Sequence, residues 1–221
     1  MLREWIKSLW HYLGRAYGVM GKNVNGQPFS MVSIWAYHFI FIGMSLAVVY
    51  LIPKGLGHEF IDYIKDIFAI FVGFFVTVLT FVFDKLDVEG IPTQEEMDKL
   101  PVNKRWSTEK ILKVKREHNY TIRFFYTIGL IILYSAITII LLIPNIFWTN
   151  FFDVNLNDYV FISSIGDMTW SSLLLFFHLL GCFFYRFLVV YLTFKVFYFT
   201  FYSVCSLLQV LISKKKIEVW N

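Results

Sequence analysis

Four stretches of the chain are apolar for long enough to cross a bilayer, and the breaks between them are short or highly charged. The first runs from Met31 to Ile52, 22 residues interrupted only by His38. At 1.5 Å per helical residue it spans about 30 Å of hydrocarbon. Pro53, Gly55 and Gly57 end it, and a loop with Lys54, His58 and Glu59 leads to a second stretch from about Ile61 to Phe83, with Asp62, Lys65 and Asp66 in its first turns. No proline occurs from Thr108 to Ile143. The pairs Glu109/Lys113 and Lys113/Glu117 support a helix whose first 13 or so residues project from the membrane as a stalk before the third span begins. Pro144 is expected to close it. From Ser171 to Ile212 the chain is again apolar, without proline and with Gly181 as its last glycine. These 42 residues reach about 63 Å, twice what one span needs. No turn residues stand near the middle, so one span is expected to continue into the cytoplasm or bend along the inner surface.

The polar segments complete the picture. Residues 1 to 20 place Leu2, Trp5, Ile6, Leu9, Trp10 and Leu13 at helical spacing, with Arg3, Lys7, His11 and Arg15 mostly on other faces. That pattern predicts an amphipathic helix over 1–28, either lying in the headgroup plane or packed on the protein's own cytoplasmic part. The same residues lack the uninterrupted apolar core of a cleavable signal peptide, so the spans themselves are expected to direct insertion. Asn25-Gly26 and Pro28 mark a turn. Residues 84–120 carry eight Lys or Arg against eight Asp or Glu. Within them Thr93 and Glu96 form a capping box after Pro92, and Ser107 caps the stalk with Trp106 and Ile111 as a hydrophobic staple. The segment 144–170 holds Asp153, Asp158 and Asp167 and no Lys or Arg.

Charge turns this pattern into a topology. The N-terminal tail has four Lys or Arg, residues 84–120 have eight and the C-terminal tail three; adding Arg123, Arg186 and Lys195 places 18 of 20 on one side. Positive residues mark the cytoplasmic side, so both termini are expected inside and the acidic loop 144–170 outside. The expected fold class is an all-α polytopic membrane protein with four transmembrane helices and helical cytoplasmic extensions, organised as 1–28, 29–83, 84–120, 121–194 and 195–221. Composition agrees: 16% of residues are charged, 57% apolar and 20% aromatic, the last suited to lipid-facing helices with Trp and Tyr at the headgroups. The net charge of +4 forms no separate basic stripe, which speaks for a membrane surface and against direct nucleic-acid binding.

Chemistry inside the spans is sparse. His178, Cys182 and Arg186 share one helix face at four-residue spacing and are the candidate lumen or polar face, since an ionisable group at membrane depth is costly. Arg186 otherwise snorkels to the inner headgroups, the preferred reading. Lys195 and Arg123 are expected at the inner interface. Gly43-x-x-x-Ala47 and Gly73-x-x-x-Thr77 have the spacing of close helix packing. Leu207, Leu208 and Leu211, on the excess length of the last helix, are the candidate contacts with a partner or another copy. Neither Cys182 nor Cys205 belongs to a CxxC pair. No zinc-protease, nucleophile-elbow or Walker motif occurs, so no catalytic residue, metal or cofactor is assigned and the chain is read as a non-enzyme.

The stretch Ile70-Phe71-Val72-Gly73-Phe74-Phe75-Val76-Thr77 followed by Phe83-Asp84, and the run Lys115-Arg116-Glu117-His118-Asn119 ahead of the third span, resemble the small four-span bacterial membrane proteins of anti-phage defence systems, such as the membrane subunit of Kiwa. Span count, size and the charged mid-linker carry the same resemblance, which is one of architecture and transfers no functional residue. It implies a homo-oligomeric inner-membrane component working with a soluble cytoplasmic partner. The alternative from a different class is a small ion channel or pore-forming effector built on the His178/Cys182/Arg186 face.

Overall fold

A computed structural model describes residues 2–23, 25–83, 92, 93, 96, 99, 101, 105–156 and 169–218. Among them the chain is helical, apart from turns and one isolated bridge between Lys22 and Pro28. The helices are α1 (Leu2–Met20), α2 (Met31–Leu51), α3 (His58–Phe83), α4 (Thr108–Phe147), α5 (Thr149–Phe152) and α6 (Trp170–Glu218). Four of them, α2, α3, α4 and α6, are long and apolar enough to cross a membrane. The protein is therefore a multi-pass, all-helical membrane protein.

Local signals act as their chemistry requires. Ser107 Oγ accepts the Lys110 amide at 3.2 Å and starts α4. Thr93 and Glu96 bond reciprocally, the Thr93 amide to Glu96 Oε2 at 2.7 Å and the Glu96 amide to Thr93 Oγ1 at 3.4 Å, as a capping box should. The rest of the helix expected between Pro92 and Pro101 lies largely outside the described residues, as do Asp158 and Asp167. Trp106 is covered by the Lys110 ammonium, 4.1 Å from its ring centre. Pro144 does not close α4, which continues to Phe147. A proline removes one helical donor and crowds the preceding turn, and so near the C-terminus α4 tolerates it, with the Trp148 amide reaching the Pro144 carbonyl at 2.9 Å. The last apolar run is one uninterrupted helix of 49 residues, about 73 Å long.

The described chain divides into two compact units. Residues 1–34, 75–130 and 199–221 form the first, residues 35–74 and 131–198 the second. In the first unit α1 packs on α4. Ala16 is fully buried, and the Tyr12 hydroxyl donates to the Tyr126 carbonyl at 2.9 Å. Gly129 makes this approach possible, because a Cβ there would collide with the Tyr12 ring and hydroxyl. Burial first, and then Tyr126, push the Tyr12 phenol up to about 12, so it remains a donor at physiological pH. The other side of α1 leaves Ile6 and Trp10 exposed, Trp10 by 70%. Of the two expectations for α1, packing on the protein is what the structure shows, and Ile6 and Trp10 form an exposed apolar edge beside it.

In the second unit the buried face of α2 carries Ser45 and Val49, and that of α3 carries Ile61, Ile64 and Phe68. Phe197 of α6 packs edge-on against Phe68 and Phe71, with ring centres 6.2 and 6.1 Å apart. The small-residue pairs take no part in this packing. Gly43, Ala47, Gly73 and Thr77 are all exposed, and no neighbouring atom lies within 4 Å of a Cβ built on Gly43 or Gly73. Bulky aromatic and aliphatic rows bury more area than a glycine groove, and they choose which face turns inward.

Candidate functional site

The polar face of α6 exists, and the backbone of the second unit fills it. His178 Nε2 donates to the Phe151 carbonyl at 2.7 Å, and Cys182 Sγ reaches the same oxygen at 3.4 Å. Arg186, 1% exposed, donates to three carbonyls: Pro53 at 2.8 Å, Phe152 at 2.6 Å and Val154 at 2.5 Å. The Pro53 oxygen also accepts the Leu156 amide at 2.8 Å. A planar guanidinium offers donors in a fixed fork, so one side chain can gather acceptors from separate segments where a lysine cannot. Arg186 thereby fastens the α2–α3 loop to the segment following α5.

Arg186 therefore does not snorkel to the end of the spans where α2 begins. It is held by the loop at the opposite end of α2, which removes it from the 18 positive residues expected on one side. The first 16 residues of α6, about 24 Å of helix, precede the clasp. Leu174, Leu175, Phe177 and Phe184 are exposed along them.

Gly55 closes the clasp. Its φ of +131° is a conformation L residues rarely adopt, and a Cβ there would strike the Asp153 carboxylate and backbone. Gly55→Ala is expected to cost about 2 kcal/mol through strain and displacement of Asp153. Thermal unfolding in detergent checks this, and an unchanged midpoint would show that the loop yields without cost.

A second cluster lies nine residues further along α6. Lys195 is buried, its ammonium 5.1 Å from the Tyr191 ring centre and 5.6 Å from that of Tyr134. Tyr191 Oη and His38 Nδ1 are hydrogen-bonded at 3.2 Å. Tyr37 stacks on Tyr198 at 5.6 Å and lies 4.0 Å from the His38 ring. Lys195 was expected at an interface; it is instead enclosed by ring faces, whose negative quadrupoles attract a cation that has left water. The signal in the sequence was four tyrosines and a histidine within spans, since interfacial tyrosines belong at span ends.

In the first unit the third buried cation, Arg123, donates to the Lys22 carbonyl and to Tyr202 Oη, the latter at 3.1 Å. It ties the turn after α1 to α4 and α6. The same unit has a groove of about 540 Å³, lined by Glu109, Leu112, Lys113, Arg116, Glu117 and Tyr120 of α4 and by Gln209 and Ile212 of α6. On this part of α6 the inward row is Ser203, Ser206 and Val210, while Leu208 and Leu211 are 50% and 52% exposed. Leu207 is half-buried against its own chain. Among the described residues no group of three or more His, Cys, Asp or Glu is placed to hold a metal ion.

No protein-family model matches the chain, and no match is found among curated proteins or solved structures.

Proposed function

We propose that the chain is a non-enzymatic subunit of an oligomeric bacterial inner-membrane assembly, with both termini cytoplasmic. Its stalks dock a soluble cytoplasmic partner while the spans sense or perturb the membrane, in a setting of anti-phage defence. One observation carries this reading. Leu208, Leu211 and Ile212 are exposed at the same level of the first unit as the charged turns Glu109 to Tyr120, because Gln209 and Ile212 share a groove with them. Charged side chains at that density belong to water or headgroups, so leucines beside them are not covered by lipid tails. Exposed apolar side chains in contact with water favour association.

The exposed leucine row and the charge asymmetry support the same orientation, since the N-terminal tail, residues 84–120, Arg123 and the C-terminal tail carry 16 of the 20 positive residues. The mass of the protein in mild detergent tests the proposal. An assembly of several copies is expected, and a monomer that also shows no self-crosslinking in native membranes would refute it.

A small ion channel or pore-forming effector is the second reading, supported by Lys195, His38 and Tyr191 at membrane depth. Reconstitution in liposomes separates the two. If the chain forms a pore along this cluster, Lys195→Met changes the ratio of anion to cation flux several-fold, by loss of one buried positive charge. Flux with unchanged selectivity, or none above protein-free vesicles, counts against it.

A further inference from the structure

The first unit contains a second, smaller cavity of about 160 Å³, lined by Asn25, Leu112, Lys115 and Arg116. Arg116 Nε donates to Asn25 Oδ1 at 3.2 Å, which joins the turn after α1 to the stalk and leaves the terminal guanidinium nitrogens free of that bond. Lys115 and Arg116 are both exposed. The acidic residues of this region, Glu109 and Glu117, line the neighbouring groove and not this cavity. Two cations and an amide around a space of this size suit a phosphate oxyanion, the guanidinium by paired hydrogen bonds and the ammonium as a point charge.

The surroundings identify which phosphate. Asn25 stands six positions before Met31, where the apolar α2 begins, so a cavity lined by Asn25 lies near the start of that span. Leu112 in its wall is 49% exposed, and Phe29, Met31 and Val32 in the same unit are exposed as well. An oxyanion pocket with Leu112 as its apolar wall, near the start of a span, has the two chemistries of a phospholipid neck, a charged phosphate and the less polar glycerol and ester groups behind it. We propose that Asn25, Lys115 and Arg116 bind the phosphate of an anionic phospholipid in the leaflet on the stalk side, with Leu112 against its glycerol and ester region. The site is independent of the oligomeric reading.

Native mass spectrometry of the full chain in detergent, titrated with phosphatidylglycerol, phosphatidylcholine or inorganic phosphate, tests this. Phosphatidylglycerol is expected to bind the wild type more tightly than phosphatidylcholine. Lys115→Gln with Arg116→Gln should weaken it by about tenfold or more, at roughly one factor of several per basic residue. Arg3→Gln with Lys7→Gln, which removes the same charge from exposed positions on α1, should leave it unchanged. Leu112→Gln, which keeps both charges, should weaken phosphatidylglycerol and spare phosphate. It decides the matter should the double variant fail to fold. Equal binding of the two lipids, equal weakening by the α1 variant, or no effect of Leu112→Gln would overturn the site. Saturation by inorganic phosphate at the same concentration would overturn its assignment to lipid.

Discussion

Arg186→Met lowers the stability of the second unit by about 3 kcal/mol, the result expected when a buried donor is removed and its acceptors remain. Methionine fills a similar volume, so the loss is not one of packing. The carbonyls of Phe152 and Val154, both partly buried, lose the guanidinium, while Pro53 keeps the Leu156 amide. Each orphaned acceptor costs about 1–3 kcal/mol, partly offset because a buried charge is no longer desolvated. In a chain of this size the melting midpoint should fall by about 10 °C. Arg186→Lys should fall between, since an ammonium cannot span three carbonyls. The chain carries its own reporters. Cys182 is buried beside the clasp and Cys205 is exposed in the other unit. In Arg186→Met, maleimide labelling of Cys182 should accelerate while Cys205 reacts as before. A variant that melts within 2 °C of the wild type, as judged against the roughly 2–4 °C expected per kcal/mol, would show that the three carbonyls do not depend on Arg186.

Leu208→Asp combined with Leu211→Asp is expected to convert the assembly into monomers without impairing membrane insertion. Burying a leucine is worth about 1.5–3 kcal/mol, so loss of two from each contributing surface weakens association by a hundredfold or more, about 2.7 kcal/mol in free energy. The aspartates add like-charge repulsion where copies meet. Light scattering on the solubilised protein measures the mass. Oxidative crosslinking through Cys205, three residues from Leu208 and exposed, measures proximity in the native membrane. Leu207→Asp is the contrasting case. Because Leu207 is half-buried against its own chain, its replacement should lower the melting temperature more than it changes the mass. An unaltered mass for the double variant would remove these two leucines from any interface between copies.

Much of the architecture was legible because it is written in local terms. A bilayer of fixed thickness requires about twenty apolar residues per crossing, and four such runs can be counted in any sequence. The capping box of Thr93 and Glu96 and the cap of Ser107 are decided within four residues, so spacing alone identifies them. The shared face of His178, Cys182 and Arg186 follows from helical periodicity in the same way. The errors have a common origin. Over 42 apolar residues α6 has no internal landmark, so its register against the other helices could not be read, and Arg186 and Lys195 were placed near the wrong levels. The small-residue pairs lie outside the packing within the chain, because Gly-x-x-x-Ala spacing says that two helices can approach, whereas the area buried by Phe68, Phe71 and Phe197 says which faces of this chain do.

Sequence by itself determined that this protein lives in a membrane as four apolar helices, since hydropathy and length are properties of single segments and their solvent. Tertiary structure decided where each charge goes. Arg186 meets Pro53 across 133 positions of chain, and His38 meets Tyr191 across 153. A buried cation takes whichever carbonyls or ring faces the folded backbone presents, and those partners share no spacing with it along the chain.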